Sequence, residues 1–263
     1  MMDIVVCIKQ VPDSVMVGLD RDTGRVRREE AKGVVNPGDR YALEVAMALK
    51  AATNARLLAL SMGPTGSDAA LRQALAVGCD EAYWVCDPNL AGADTGVTTR
   101  VLAAALARFD NLGLVLLGEQ SVDGATGLVP ARLAERLGYP LIASVVEASL
   151  DGAQVRALRN STACRERVVA PLPAVMSVSL DAAKPRIPNA MGVMKAARKP
   201  LTTWSLDDLG LKPEQAGGAA STTVVQRSYK PEKRERGERL LGPASDVAAV
   251  LLERLRAKQL IDG

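Results

Sequence analysis

An apolar run that ends on a glycine, crosses a short polar loop and resumes with helical spacing has few ways to fold. Residues 112–138 do this. LGLVLLG is a continuous apolar stretch of the kind that makes a strand buried on both faces. Val129, Leu133 and Leu137 then recur at helical spacing. Between them lie Gln120, Ser121, Asp123, Gly124, Thr126 and Gly127. Strand, glycine-bearing loop and helix start together form an anion site. Glycine admits close approach to the backbone, and the first N–H groups of a helix point at the ligand. The phosphate of an adenine nucleotide is the expected occupant. The same pattern also fits an ordinary strand-to-helix turn.

The unit recurs along the first half of the chain. Residues 4–8 read as a buried strand, left by Lys9-Gln10-Val11-Pro12-Asp13. Residues 15–26 carry a turn cluster at Asp20-Arg21-Asp22-Thr23-Gly24, which predicts an excursion or hairpin. Pro37 holds Asn36 extended, and Gly38 or Asp39 then starts a helix through Tyr41, Val45, Ala46 and Leu49. Arg56–Met62 is a second strand, turned by Gly63-Pro64 into a helix that Gly78 ends. Residues 81–86 are a third strand, and Asp94 is placed to cap a helix through Val97, Val101 and Leu102. Strands alternating with helices over short connections predict an α/β fold: a parallel, doubly wound, Rossmann-like sheet with helices on both faces. Ligands of such sheets bind at the carboxyl ends of the strands. Those ends are residues 9–13, 62–67, 86–88 and 118–127.

After Tyr139-Pro140 the pattern changes. Residues 141–149 and 154–158 flank Asp151-Gly152, a favoured hairpin turn. Residues 173–178 add a further strand. Residues 181–199 are rich in Pro, Gly, Asn and basic side chains and read as an exposed loop. Ile187, Met191, Val193 and Met194 make that loop a docking surface, because methionine adapts to varied contacts; the plainer reading is a solvated loop with Met194 tucked into the core. Residues 1–211 are therefore expected to form the α/β domain, with the docking loop at 183–199. Residues 212–243, rich in Gly, Ala, Ser and Thr and then in mixed charge, read as linker. Residues 244–263 carry a final helix, capped by Ser245, that packs back on its own domain or on a partner subunit.

Composition removes several classes of function. The 263 residues contain no histidine, which excludes Ser–His–Asp and Cys–His chemistry and His-ligated metals. The four cysteines form no C-x-x-C pair, and Cys7 and Cys86 sit in or beside apolar runs, as buried reduced thiols do. A net charge of +3 with interspersed signs, and aromatics at only 3%, do not suggest nucleic-acid binding. No basic n-region or apolar run of spanning length is present, so the expected location is the cytoplasm. There is neither a G-x-G-x-x-G after a strand nor a G-x-x-x-x-G-K-[ST]. A nucleotide scaffold without a nucleophile or acid–base pair suits a carrier, in which a bound cofactor does the chemistry. A non-redox regulatory module that binds an adenine nucleotide is the alternative.

The ordered segments VVCIKQVPD, VNPGDRYALEVAMALK, GADTGVTTRVLAAAL, LVLLGEQSVDGATG, LPAVMSV and KPRIPNAMGVMKA resemble the beta subunit of electron transfer flavoproteins over about residues 2–211. The GADTGVTTRVL segment is closest to the bifurcating and nitrogen-fixation-associated branch. The resemblance implies a heterodimer with an alpha subunit that holds or shares the electron-transferring FAD. It implies AMP or a second FAD in this chain. By the same resemblance, Cys7, Asn36, Pro37, Gly38, Asp39, Met62 and the loop from Gly118 through Val129, Val122 included, contact the nucleotide. Asp94, Thr95, Thr98 and Thr99 line the pocket of the longer nucleotide. Residues 184–199, with Ile187, Ala190, Met191, Met194 and Lys195, dock a flavin-containing dehydrogenase. NADH, ferredoxin or a quinone reductase are implied as further partners. Such a chain is an electron-carrier subunit, and part of an NADH-dependent bifurcating oxidoreductase if the second FAD is present. Glu119, Ala125 and Leu128 differ from the residues usual in the bifurcating branch, so AMP and the second FAD both stay open.

Overall fold

In the computed structural model, residues 1–13, 33–226 and 237–261 are described. The hairpin expected at residues 15–26 lies outside them. The chain divides into two compact units, Met1–Gln226 and Arg227–Gly263.

The first unit is built on apolar runs that only a sheet covered on both faces can bury. The strands are β1 (Asp3–Cys7), β2 (Gln10–Pro12), β3 (Gly33–Val35), β4 (Arg56–Met62), β5 (Glu81–Val85), β6 (Leu112–Gly118), β7 (Leu141–Asp151), β8 (Gln154–Asn160), β9 (Arg165–Pro171), β10 (Ala174–Val178) and β11 (Thr202–Trp204). The helices are α1 (Pro37–Ala52), α2 (Asp68–Val77), α3 (Thr95–Leu106), α4 (Val129–Leu137) and α5 (Ala190–Arg198). Among the described residues the main sheet has nine strands in the order β11-β5-β4-β1-β6-β10-β7-β8-β9. The strands from β11 to β7 run parallel, and β8 and β9 follow antiparallel. β2 and β3 pair separately.

Alternate residues of each central strand serve opposite faces, as the pleat requires. Ile4, Val6, Leu57, Ala59, Leu114 and Leu116 meet α1 and α2 on one side. Val5, Leu58, Leu60, Val115 and Leu117 meet α3 and α4 on the other. Strand order reverses at β1: the chain moves out through β4 and β5, then returns to place β6 on the far side of β1. The carboxyl ends of β1 and β6 flank that switch point, where ligands of doubly wound sheets bind.

Several details differ from the sequence reading. Residues 190–198 are helical, not loop. Asn189 caps α5 by accepting from the Gly192 N–H at 2.7 Å, and a Cβ on Gly192 would meet the Ala76 carbonyl oxygen at 2.4 Å, so only glycine lets α5 approach α2 this closely. Residues 213–215 and 218–220 form short 3₁₀ turns that pack on the first unit, with Ala216 buried in its core. The segment expected to be linker from residue 212 thus belongs to the compact unit as far as Gln226. Small residues that signal a flexible linker also permit close backbone packing, and here they do the latter. Finally, Cys7 and Cys79 are buried, whereas Cys86 is only half-buried.

The edge strand β11 brings Trp204 onto Tyr83 and Phe109, with ring centroids 4.8 and 5.8 Å away. Trp84, on neighbouring β5, donates from Nε1 to Ser67 Oγ at 3.0 Å. In the second unit, α6 (Ala244–Ala257) starts after Pro243 without a side-chain cap. Ser245, expected as the cap, instead donates its hydroxyl to Asp246. Arg254 pairs with Glu238. Among the described residues no helix is long and apolar enough to cross a membrane.

Candidate functional site

The ends of β1, α1 and β6 are tied together by one buried carboxylate. Asp39, in the first turn of α1, accepts the Lys9 N–H at 2.7 Å on one oxygen. Its other oxygen accepts from Asn36 Nδ2 at 3.1 Å and from the Gly118 N–H at 3.1 Å. Burial pushes the Asp39 carboxyl up to about 6 despite these donors. Cys7, at the end of β1, is raised by burial and by the nearby Asp39 charge, so its thiol stays protonated. A Cβ on Gly118 would lie 2.6 Å from the Gly38 carbonyl carbon and 2.9 Å from the Asp39 nitrogen. Glycine is therefore a condition of this contact.

Asn36 extends the tie to the loop after β6. Its Nδ2 donates to the Gln120 carbonyl at 3.0 Å, and its Oδ1 accepts the Val122 N–H at 3.1 Å. The side chain makes no helix-capping hydrogen bond and is a cross-link spanning residues far apart in the chain. Lys9 closes the other side of the loop: its ammonium lies 2.6 Å from Asp123 Oδ1 and 3.2 Å from Ser121 Oγ. The Asp123 side chain is 4% exposed and that of Lys9 40%. Lys9 was read only as part of the exit from the first strand, because nothing local signals a contact over such a separation.

Beyond Asp123 the loop opens to solvent. Gly124, Ala125, Thr126, Gly127 and Leu128 are exposed. Ala125 and Gly127 take left-handed backbone, with φ of 47° and 64°, and the Ala125 N–H donates to the Ser121 carbonyl at 2.8 Å. Among the described residues, the N–H groups of Thr126 and Gly127 meet no acceptor. Val129 begins α4, and Pro130 in its first turn carries no N–H. Met62 ends β4 half-buried on the same edge.

The α3 start is organised differently. Asp94 caps the helix by accepting the Val97 N–H at 2.9 Å. Its second oxygen accepts the N–H groups of Thr222 and Thr223 at 3.0 and 3.1 Å. These donors, Val97 foremost, hold its carboxyl down at about 2. The Thr95 hydroxyl accepts from Arg132 of α4 at 2.9 Å. Thr99 is buried, its hydroxyl 2.9 Å from the Gly96 carbonyl, and Thr98 is half-buried. Residues 94–99 therefore form the α3 start, separate from the cross-linked cluster of residues 7, 36–39 and 118–123.

On another part of the unit, α5 is fixed from beneath and bare above. Ala196 is its buried residue, and Arg72 of α2 donates to the carbonyls of Ala196 and Lys199. Before it, Arg186 holds Glu44 of α1 through a two-pronged pair of 2.6 and 2.9 Å. That guanidinium keeps the Glu44 carboxyl below its usual range. Ile187, Met191, Val193 and Met194 are all more than half exposed, Ile187 reaching 82%. Met194 does not enter the core. Ala190 and Lys195 are exposed beside them.

A doubly wound sheet whose strand-end loops meet at its switch point is the architecture of nucleotide-binding α/β proteins. Comparison with known proteins identifies the kind. The electron transfer flavoprotein domain model matches residues 23–209. Caffeyl-CoA reductase-Etf complex subunit CarD of Acetobacterium woodii is 35% identical over 99% of this chain and 100% of its own length. Electron transfer flavoprotein subunit beta of Thermoanaerobacterium thermosaccharolyticum is 33% identical over 99% of this chain and 100% of its own. Protein FixA of Azorhizobium caulinodans is 34% identical over 89% of this chain and 86% of its own. The chain belongs to the electron transfer flavoprotein family, and it stands among that family's beta subunits.

Proposed function

We propose that this chain is the beta subunit of a heterodimeric electron transfer flavoprotein, that it holds an adenine nucleotide at the β1–β6 switch point, and that it docks a dehydrogenase through α5 and the residues before it. The observation that carries the nucleotide reading is the loop after β6. Cross-links from Asn36 and Lys9 fix its near half, and its far half presents unpaired N–H groups in the open. Cys7, Asn36, Pro37, Gly38, Asp39 and Met62 form the wall and floor. Gly118, Gln120, Ser121, Val122, Asp123, Gly124, Thr126, Gly127 and Val129 form the phosphate side. These residues fit the adenosine phosphate moiety that AMP and FAD share. With Asp39 buried and anionic above its pKa, backbone N–H groups are the natural partners of the phosphate.

Bound flavin supplies the electron-carrying chemistry, on the alpha subunit in either version and also in this chain if its nucleotide is FAD. The chain itself binds, orients and docks, which agrees with its lack of histidine. The exposed apolar group of Ile187, Met191, Val193 and Met194, with Lys195 beside it, offers a partner a contact that adapts its shape. NADH, and a ferredoxin or quinone reductase as acceptor, enter if the second flavin is present. Residues 244–263 are proposed to pack on the alpha subunit.

The test is co-purification with the alpha subunit, followed by absorption spectroscopy and identification of the released nucleotides. Flavin together with AMP supports the simple carrier. A second flavin in place of AMP supports the bifurcating form. A colourless complex that releases a nucleotide but no flavin overturns the redox reading in favour of a regulatory module.

A further inference from the structure

The last residues of the first unit are fastened to the start of α3 more closely than a linker needs. Gly218 donates its N–H to the Ala91 carbonyl at 2.8 Å. A Cβ on Gly217 would meet the Asn89 carbonyl oxygen at 2.1 Å, and its φ of 60° is left-handed, so both space and backbone demand glycine there. The Arg100 guanidinium donates to the Gln215 carbonyl at 2.8 Å. Ser221 Oγ accepts the Asp94 N–H at 2.9 Å and lies 2.8 and 3.0 Å from the carbonyls of Gly217 and Gly92. Asp94 completes the fastening by accepting the N–H groups of Thr222 and Thr223. The Thr222 hydroxyl also reaches it, at 3.3 Å.

We infer that Asp94 is a positioning residue, a clasp that fixes where the chain leaves the first unit for its C-terminal segment, and not a ligand of the nucleotide. One carboxylate oxygen is committed to the α3 cap and the other to residues 222–223. Oδ2 already takes the N–H groups of Thr222 and Thr223 and the Thr222 hydroxyl, so a nucleotide hydroxyl reaches that oxygen only by displacing one of them. The clasp consists of backbone N–H groups on one side and a single carboxylate on the other. Four residues after Thr222 the first unit ends.

Hydrogen exchange on the full chain tests this. Asp94→Asn keeps an oxygen for the α3 cap but offers an N–H₂ group where residues 222–223 need an acceptor. Exchange at the Thr222 and Thr223 amides is expected to rise about tenfold, the effect of losing a hydrogen bond to a charged group, while the α3 amides stay protected. Asp94→Ala is expected to expose both. Ser221→Ala leaves Asp94 in place and loosens the same segment. Unchanged exchange at residues 222–223 in Asp94→Asn overturns the inference. So does loss of bound nucleotide in Asp94→Asn equal to that caused by changing the loop after β6. The choice between ligand and clasp rests on the nucleotide reading. The exchange measurement does not, and a parent chain that carries no nucleotide in complex with its alpha subunit refutes that reading alone.

Discussion

Gly118 and Asp39 touch backbone to backbone and share a hydrogen bond: the Gly118 N–H donates to Asp39 Oδ1 at 3.1 Å, with no room for a Cβ between the two segments. Gly118→Ala must therefore push β6 from the start of α1. Overpacking of this kind costs about 1–3 kcal/mol. Denaturant unfolding is expected to show that loss, and the complex with the alpha subunit is expected to release its nucleotide more readily.

Asp39 gives the fold a defined response to pH. Its folded pKa of about 6 lies above the ordinary value of 3.8. Between these values the folded chain holds a proton that the unfolded chain has lost, so this group's contribution to stability falls as pH rises. It is fully present below pH 4 and lost by the time pH has passed 6. The difference amounts to about 3 kcal/mol. Asp39→Asn removes the slope: the parent is expected to lose ground to the variant from pH 4 to 6, and the gap is expected to stay constant above. Parallel stability curves for the two proteins over that range would contradict the assignment.

Asn36→Ala leaves the Val122 N–H and the Gln120 carbonyl without the partner that joins them to α1. The expected cost is about 1–3 kcal/mol. It should appear locally, as faster hydrogen exchange and protease cleavage in residues 119–128 before the sheet unfolds.

Met191→Glu and Met194→Glu change exposed side chains that support nothing beneath them. Stability is expected to stay within about 0.5 kcal/mol of the parent. Electron transfer from the dehydrogenase partner is expected to slow, with KM for that partner rising more than kcat falls. Equal kinetics in parent and variants would remove α5 from the docking surface.

A chain ending at Gly242 keeps the whole first unit and loses α6. Circular dichroism is expected to lose only the signal of that helix, and affinity for the alpha subunit is expected to fall. Unaltered affinity in a titration would show that the terminal helix has no part in assembly.

Legibility in the sequence followed the range of the interactions. Arg56–Met62 was read with its bounds because an apolar run stands between a polar stretch and Gly63-Pro64. Leu112–Gly118 was equally plain. Helix α5 was not, since Pro188, Asn189 and Gly192 spell a loop and only Ala196 faces the core. What holds that helix comes from α2, through Arg72 and the groove at Ala76. Lys9 was missed for the same reason: its partners Ser121 and Asp123 lie more than a hundred residues away. The small residues at 216–221 carried the wrong message, because composition does not distinguish a chain free to move from one packed too closely for side chains.

Both indoles of the protein, Trp84 and Trp204, lie on adjacent strands at one margin of the sheet. Intrinsic emission is thus a local gauge. It reports on the margin where α5 returns the chain to β11, and a ligand at the switch point changes it only by energy transfer or by a movement that crosses the sheet.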